Sequence, residues 1–374
     1  MSNINYDKII ENESEREFYI ESHDKILEII KNNGKITFWQ IVRLLQGSDR
    51  RILRLIEEMV KNNEIFLEDK YLFMNNAEKD KIFIKDVLCK KCEGKLIDLG
   101  SLEAIRNKMD QIYLEKPVPT FLFDQRPVTS DTTIKRAVYL MLNRDLNNKK
   151  ILVLGDDDLT SIAIGFLGLA KEIIVLDIDE RLINFINKKA KENNLNIKAH
   201  ICDLTKGIPK EFENYFDVFL TDPTPNPECF SLFVSIGIKL LKNKAGMSGY
   251  VSFFPSHQKI SLEFQKILTN KGLIITDMIP RFTEYDFVKF TYKDSDLELL
   301  RKYDSGERKL SFHENITRFV TSEESVNMND PTEIKELPLS KATKRMLENP
   351  EMDPAFKGGD KEFVLNLIKK NESK

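Results

Sequence analysis

The sequence predicts an α/β protein whose larger part is a doubly wound, mostly parallel sheet. Between residue 150 and about residue 292, short apolar runs alternate with helical patterns, as expected for a parallel sheet covered by helices. The first run, 151–154, ends at Gly155, like a buried strand that enters a tight turn. Aspartates follow each of the first four predicted strands. Since such strand ends share one edge of the sheet, these residues predict a ligand site there.

A smaller module precedes the sheet. Ser48 caps the third of three predicted helices, and a turn at 68–70 joins two short β-segments into a hairpin. The predicted helices cover 24–33, 38–45 and 49–62, and the strands cover 64–67 and 71–74. Three helices and a hairpin predict a winged helix-turn-helix domain.

Two roles are open for this module. It either binds DNA through its third helix, or it is an accessory domain that dimerises or covers an active site. The third helix mixes basic and acidic residues, namely Arg50, Arg51, Arg54 and Lys61 with Asp49, Glu57 and Glu58. A DNA-reading helix has a clearer basic excess, so the pattern favours the accessory role.

A connecting segment follows, with a Cys89-x-x-Cys92 knuckle. One knuckle supplies half of a tetrahedral zinc site. A site shared across a dimer, a relic of a zinc ribbon and two thiols in a turn are all open, and absence of a metal is favoured. Beyond a helix at 101–114, the loop at Asp124, Gln125 and Arg126 either reaches over the predicted site or decorates the surface.

Composition indicates a globular protein without membrane segments. The chain has 374 residues, 41% of them hydrophobic and 31% charged, with a net charge of −3, so no overall field favours nucleic acid. No apolar run approaches the ~20 residues of a membrane span, and the charged first 30 residues exclude a signal peptide. Four cysteines then indicate a reducing cytoplasm. The high content of Lys and Glu indicates a thermophilic protein. The indication is weak, because Asn is also frequent.

These patterns predict four regions. They are a winged-helix-like domain at 1–80, a connecting segment at 81–145, a Rossmann-like catalytic domain at 146–300 and a partly flexible C-terminal extension at 301–374. The extension is loosely patterned and is expected to be mobile until a short helix at 362–368.

The turn after the first strand contains three consecutive carboxylates, Asp156, Asp157 and Asp158. Nucleotide folds usually place further glycines here, so that backbone N–H groups approach a phosphate. Three carboxylates at contact distance would repel a phosphate. The turn is therefore expected to hold a cationic ligand.

The spacing of the remaining strand-end residues fits a class I methyltransferase-like Rossmann fold. Asp177, after the second strand, is expected to accept the ribose hydroxyls of a nucleoside donor. Asp203, after the third, is placed to receive the adenine amino group, while the Leu204 backbone meets the ring. Gly155 supplies the close turn beneath the donor side chain.

The segment Asp222-Pro223-Thr224-Pro225, after the fourth strand, resembles the Asp-Pro-Pro-Tyr tetrad of amino-group methyltransferases. There the carboxylate and adjacent carbonyls hold an attacking amine, and prolines free the carbonyls because they lack an N–H. The stacking tyrosine is replaced here by Pro225-Asn226. An aliphatic amine is thus a better candidate substrate than a flat base. Such an amine arrives protonated, so a nearby carboxylate is needed as base.

Taken together, these residues resemble the branched-chain polyamine synthase, or N(4)-bis(aminopropyl)spermidine synthase, family. The resemblance is most specific at 155–158 and at Asp222-Pro223. It implies decarboxylated S-adenosylmethionine as co-substrate, no permanently bound cofactor or metal, and aminopropyl transfer to the central amine of spermidine. For such a cationic donor, Asp156 or Asp157 is expected to hold the ammonium of the donor and Asp158 to lie nearest the attacking nitrogen, with Asp222 orienting the acceptor. The expected acceptor contacts are Asp158, Asp222, Pro223 and Thr224.

Two other functions stay open at this point. One is an S-adenosylmethionine-dependent amino-group methyltransferase that acts on nucleic acid, with the winged helix as its reader. The other is a non-enzymatic regulator that senses a cationic ligand. The favoured hypothesis is a cytoplasmic aminopropyltransferase with a polyamine as its partner, no membrane or nucleic acid partner, and a homodimer formed through the winged helix.

Overall fold

The computed structural model describes residues 4–11, 15–45, 47–75, 89, 92, 96–255, 258–286, 294–307, 309–327 and 341–372. The chain divides into two compact units. The first contains Met1–Leu96, Phe254–Ser261 and Pro280–Asn315, and the second contains Ile97–Phe253, Leu262–Ile279 and Ile316–Lys374. The two units are defined by the packing of their residues. The division of the chain into four regions stays a prediction. None of the described helices is long and apolar enough to span a membrane.

The elements are numbered in chain order. Up to residue 142 they are α1 (Arg16–Asn33), β1 (Ile36–Thr37), α2 (Phe38–Leu44), α3 (Asp49–Lys61), β2 (Phe66–Glu68), β3 (Tyr71–Phe73), α4 (Glu103–Glu115) and α5 (Ser130–Leu142). Then follow β4 (Lys150–Leu154), α6 (Thr160–Leu167), β5 (Glu172–Asp177), α7 (Glu180–Glu192), β6 (Ile197–Ile201), β7 (Val218–Thr221), α8 (Pro227–Leu240), β8 (Ser248–Phe253), α9 (Gln258–Asn270) and β9 (Leu273–Asp286). The last elements are α10 (Asp294–Tyr303), β10 (Leu310–Thr321), α11 (Glu323–Asn327), α12 (Lys341–Glu348), α13 (Pro354–Lys357) and α14 (Lys361–Glu372).

The first unit contains the predicted three helices and hairpin. Strands β1, β3 and β2 form a small sheet in that order, with antiparallel pairing. Asp69 and Lys70, between β2 and β3, both have positive φ angles, the backbone of a tight hairpin turn. Ser48 lies at the N-cap of α3 without a side-chain capping bond. The order of elements is the one expected for a winged helix, and that assignment stays our interpretation of them.

Seven of the thirteen residues of helix α3 are buried and five more are partly buried. All thirteen of its residues are described, and of these only Lys61 is exposed. Helix α10 packs on it: Leu300 and Tyr303 join the hydrophobic core of this unit, and Arg54 pairs with Asp296 at 2.7 Å. Arg51 pairs with Glu15 at 3.0 Å. A helix that reads DNA must present a continuous surface to the groove, so this geometry argues against DNA recognition by α3.

We therefore expect no steep salt dependence in any weak binding of duplex DNA. Because Arg51 and Arg54 of α3 already have carboxylate partners, few cations remain to displace counterions from phosphates. The measurement is fluorescence anisotropy with a labelled duplex between about 50 and about 200 mM salt. A fall in affinity of about 10³-fold over that range, typical of several phosphate contacts, would contradict this expectation.

The second unit contains the predicted Rossmann-like sheet. The full sheet has seven strands in the order β6-β5-β4-β7-β8-β10-β9, and the pairs from β6 to β8 are parallel. The apolar residues 151–154 are fully buried in β4, which lies between β5 and β7 inside the sheet, as expected for a strand covered on both faces. The predicted α/β class and doubly wound topology are confirmed. Their consequence is that β4, β5, β6 and β7 end at one edge.

The C-terminal part of the chain is more ordered than its charged sequence predicts. Strand β10 was not predicted, and β9 continues to Asp286 where the apolar pattern indicates an end near residue 279. Both strands have residues in each unit. Within the second unit, Asp353 is completely buried between α12 and α13, which contrasts with the expected mobile tail. Its carboxylate accepts hydrogen bonds from a distant loop instead of from water. No local sequence pattern reveals such a contact.

Candidate active site

A cavity of about 240 Å³ lies in the second unit at the carboxyl edge of the sheet. Its wall includes residues that follow each of the four strands β4, β5, β6 and β7. Among the residues predicted for the site, the wall contains Gly155, Asp157, Asp177, Asp203, Leu204, Asp222, Pro223 and Thr224. Asp156 and Asp158 are not part of it. The topology thus brings together predicted site residues that are up to 69 positions apart in sequence, from Gly155 to Thr224.

The turn after β4 separates the three consecutive carboxylates into different environments. Gly155 has φ +70°, a left-handed backbone that glycine adopts without strain. Asp157 faces the cavity, whereas Asp156 is 1% exposed and accepts hydrogen bonds from the backbone and hydroxyl of Ser161. Burial raises the pKa of Asp156 to about 8. Asp156 therefore has a position suited to building the turn.

Helices α4 and α5 hold the turn by its backbone carbonyls. Lys116 donates to the carbonyl of Asp157 at 2.5 Å. Tyr113 and Thr133 donate their hydroxyls to the carbonyl of Asp158, at 2.7 and 2.8 Å. These bonds use the carbonyls and leave the carboxylate of Asp157 directed to the cavity. Burial, and then the charge of Asp158, raise the pKa of Asp157 well above its ordinary value.

Asp158 is joined to Asp222 by a buried arginine. Arg136, on α5, donates Nη1 to Oδ2 of Asp158 and Nη2 to Oδ2 of Asp222. Oδ1 of Asp158 is buried, and no donor among the described residues lies within hydrogen-bond distance of it. Burial raises the pKa of Asp158 to about 6, while Arg136 opposes that rise. An ionisable group with an unsatisfied acceptor and a pKa near neutrality suits proton transfer.

Asp177 is fixed at the end of β5 by backbone groups. Oδ2 accepts the N–H of Asp156 at 2.9 Å and Oδ1 accepts the N–H of Asp179 at 2.8 Å. Each carboxylate oxygen retains a further lone pair. Burial raises the pKa of Asp177 to about 6. This carboxylate is positioned rigidly and is able to accept bonds from vicinal hydroxyls in the cavity.

Asp203 and Leu204 line the cavity beyond β6. Burial disfavours ionisation of Asp203, but bonds from Thr205 and an ion pair with Lys206 at 3.1 Å outweigh it and lower the pKa. Asp203 also caps the short 3₁₀-helix Leu204–Lys206. It is therefore an ionised acceptor on this wall.

The segment after β7 has a local reason to differ from Asp-Pro-Pro-Tyr. Asn226 caps α8, since its side chain accepts the N–H of Cys229 at 2.8 Å, and Pro227 occupies the first turn. These are favoured residues at a helix start. Asp222, Pro223 and Thr224 remain on the cavity wall. Where amino-group methyltransferases have the stacking tyrosine, this chain thus has residues that lead into the start of α8.

A further part of the wall contains no residue that the sequence predicted for the site; it includes Leu122, Phe123, Asp124, Gln125 and Thr343. Asp353 holds this loop, accepting from the Thr120 hydroxyl and the Phe121 N–H, both at 2.9 Å. Of the two interpretations of the 124–126 loop, the structure thus supports the one in which it reaches the site. A polar Asp-Gln-Arg run after an apolar one was the available signal.

The question of a metal falls largely outside the described residues. Cys89 is exposed and Cys92 is partly buried, but residues 90, 91 and 93–95 of the knuckle are not described. Across the described ranges, no three His, Cys, Asp or Glu residues are placed to hold a metal ion together.

Comparison with known proteins identifies clear relatives. The family model described as the branched-chain polyamine synthase A C-terminal domain matches residues 104–335. The N(4)-bis(aminopropyl)spermidine synthase of Thermococcus kodakarensis is 32% identical over 277 residues, which is 71% of this chain and 78% of that protein. The enzyme of the same name from Methanocaldococcus jannaschii is 34% identical over 288 residues, 73% of this chain and 79% of that protein.

A solved structure also matches over most of the chain. It is a branched-chain polyamine synthase mutein from Thermus thermophilus, in complex with N(4)-aminopropylspermidine and 5'-methylthioadenosine. The match has a TM-score of 0.64 and 25% identity, and it covers 84% of this chain and 92% of the other. The sequence similarity and the fold similarity therefore lead to the same group of proteins.

Proposed function

The chain belongs to the branched-chain polyamine synthase family, and on that premise we propose that it transfers aminopropyl groups from decarboxylated S-adenosylmethionine to spermidine. The products are N(4)-aminopropylspermidine, then N(4)-bis(aminopropyl)spermidine, together with methylthioadenosine. The observation that carries the proposal is the cavity at the sheet edge, whose wall includes Asp157, Asp177, Asp203 and Asp222. A wall with this charge favours cationic substrates.

The donor occupies the side of the cavity formed by the ends of β5 and β6 in this proposal. Asp177 accepts the ribose hydroxyls, Asp203 receives the adenine amino group and the Leu204 backbone meets the ring. Asp157, on the cavity wall, holds the propylammonium group. The carboxylated donor would bring a negative charge towards Asp157, which disfavours it by Coulomb repulsion in a partly desolvated site. The proposed selectivity for the decarboxylated donor follows from this repulsion.

The proposed reaction is a displacement at carbon. The central amine of spermidine loses its proton, and its lone pair attacks the methylene carbon next to the sulfonium. A C–N bond forms and the C–S bond breaks, so that neutral methylthioadenosine leaves. Asp158, which lies behind the wall, accepts the proton on Oδ1 through one bridging water, and Asp222, Pro223 and Thr224 orient the acceptor. The second addition converts a tertiary amine to a quaternary ammonium.

The direct test is to incubate the protein with spermidine and decarboxylated S-adenosylmethionine. We expect methylthioadenosine and two branched products in succession, separated by mass, because the carboxylates both concentrate and orient the reactants. The matched control replaces the donor by S-adenosylmethionine and adds DNA or RNA as acceptor. Methyl transfer in that control, or no methylthioadenosine with any polyamine, would exclude the proposed reaction. Ligand binding without any turnover would instead favour a regulator.

Assembly and location are further parts of the proposal. We infer a cytoplasmic enzyme, because none of the four cysteines forms a disulfide among the described residues, as expected in a reducing compartment. We also infer a homodimer, the commonest closed assembly of soluble proteins. Light scattering after size exclusion measures the mass directly, and a monomer mass at micromolar concentration would rule out a stable dimer.

A further inference from the structure

A completely buried arginine lies behind a cavity that we expect to bind cations. Arg136 is 1% exposed, which is rare for an arginine unless its charge is compensated. Its guanidinium donates to Asp158, to Asp222 and, at 3.3 Å, to the hydroxyl of Ser252. These partners follow or belong to β4, β7 and β8. Asp222 lines the cavity and Arg136 does not, so the arginine supports the site from behind.

The permanent positive charge of Arg136 would compete with a cationic substrate for these carboxylates. Its presence is understandable if it keeps the carboxylates ionised and oriented. Six carboxylates end or follow β4, β5 and β7 at this edge: Asp156, Asp157, Asp158, Asp177, Asp179 and Asp222. Crowded and desolvated carboxylates take up protons, because their charged forms are disfavoured. A protonated Asp158 would be unable to act as a base. Arginine is suited to prevent this, since its guanidinium does not lose its proton in proteins.

The planar fork of the guanidinium also determines orientation. Nη1 holds one oxygen of Asp158 and Nη2 holds one oxygen of Asp222. Both carboxylates are thereby fixed relative to each other, and Oδ1 of Asp158 stays without a donor among the described residues. A lysine at this position would supply charge without the two-pronged geometry.

We propose that Arg136 is a positioning residue that keeps Asp158 ionised and holds Asp158 and Asp222 in register for the attacking amine. This inference rests on the proposed aminopropyl transfer. The other charged or titratable groups near Asp158 are Asp222 after β7, Lys116 and Tyr113 from the α4 region, and Asp156 and Asp157 in its own turn. Arg136 differs from them in bonding directly to the carboxylate.

The test compares Arg136→Met and Arg136→Lys with the wild type. The rate of methylthioadenosine release is measured from about pH 5.5 to about pH 9.5, around the raised carboxylate pKa values. We expect Arg136→Met to lower kcat/KM by about 100-fold at neutral pH. The acidic limb of its pH–rate profile should move upward by at least about one pH unit. Arg136→Lys keeps the charge, so its limb stays near that of the wild type while kcat falls by about tenfold.

Arg318→Met is the control for loss of a carboxylate-bound arginine, here one whose side chain is 15% exposed. Arg318 bonds Asp145 at 3.0 Å and Ser248 at 3.1 Å, near the opposite end of β8 from Ser252. Its loss should reduce thermal stability without moving the limb. If Arg136→Met has the wild-type limb, or wild-type rates, the proposal is wrong. Because Arg136→Met leaves two buried carboxylates uncompensated and is at risk of misfolding, thermal melting accompanies the kinetics.

A double-mutant cycle gives a second, independent readout. If Arg136 acts largely through Asp158, combining Arg136→Lys with Asp158→Asn should lower kcat by less than the product of the two single losses. Multiplicative losses in the double variant would overturn the proposal. An inactive wild type would instead contradict the proposed function, so the two failures are distinguishable.

Discussion

Replacement of Asp158 by asparagine is expected to lower kcat for aminopropyl transfer by about 10²- to 10⁴-fold, the usual contribution of a general base. Asparagine has nearly the same shape and retains an oxygen for Arg136, so the fold should persist. It lacks the carboxylate that takes the proton of the attacking amine. Because Asp158 lies behind the cavity wall rather than on it, we expect KM for spermidine to change by less than about threefold.

Single-turnover measurements with saturating donor and acceptor test this directly. Asp217→Asn is a matched control, since Asp217 is a similarly buried carboxylate (8% exposed) that immediately precedes β7, at the opposite end of that strand from Asp222. It bonds the N–H of Lys150 and the ammonium of Lys242, so its loss should affect stability and not turnover. A wild-type kcat for Asp158→Asn would remove Asp158 from the mechanism.

Such a result would shift attention to Asp157, which faces the cavity. Asp157→Asn is the informative companion, because Asp157 is proposed to bind the propylammonium group of the donor. Its loss should raise KM for the donor and weaken the preference for the decarboxylated form. A large effect on kcat alone, with donor KM unchanged, would indicate instead that Asp157 is the base.

The affinity for polyamine is expected to rise between about pH 6 and about pH 8, by up to tenfold per pH unit for each linked carboxyl. Binding is also expected to release protons. Burial raises the pKa of Asp158 and of Asp177 to about 6 and that of Asp156 to about 8. Below these values the groups are neutral and attract a cation weakly. A bound ammonium favours their ionised form, so binding expels protons.

The same shifts determine how stability without ligand depends on pH. These carboxyls have folded pKa values above the unfolded value of 3.8. Between pH 3.8 and the folded values, the folded state binds more protons than the unfolded state. Their contribution to stability is therefore complete below the unfolded pKa and is lost as pH rises through about 6 and then about 8. The increase in Tm caused by spermidine should consequently be larger at about pH 8 than at about pH 6.

Calorimetry in buffers of different ionisation enthalpy counts the released protons. Spermidine is compared with an uncharged diol of similar length, which should bind weakly and release none. Asp158→Asn should reduce the proton count for spermidine near pH 6, because one titrating group is absent. Tightening of polyamine binding as pH falls, or net proton uptake, would contradict the expected linkage.

Much of the fold follows from local patterns. The apolar run at 151–154 predicted a buried parallel strand, and β4 is paired in parallel with β5 on one side and β7 on the other. Strand β10 was missed because its polar residues mask the period on which such predictions depend. The hairpin turn at Asp69 and Lys70 was found from short-range signals alone. Covering of α3 by α10 was not predictable, since residues 49–61 and 294–303 are far apart in the chain.

The candidate site shows the same division. The parallel topology requires Asp157, Asp177, Asp203 and Asp222 to meet at one edge, and their acidity already indicates a cationic ligand. Nothing in the order Asp156-Asp157-Asp158 tells which carboxylate enters the cavity, because that depends on Ser161, Lys116 and the other donors around the turn. Arg136 carried no recognisable signal on its helix.

Chain order and residue type thus suffice for the fold class, the edge of the sheet and the sign of the ligand charge. These properties depend on hydrophobic periodicity and on formal charge, both of which are local. The three-dimensional packing assigns Asp157 to the cavity wall, hides Asp156 and joins Asp158 to Asp222 through Arg136. Ionisation and direction of a carboxylate depend on distant neighbours and on burial, because electrostatic interactions strengthen where water is excluded.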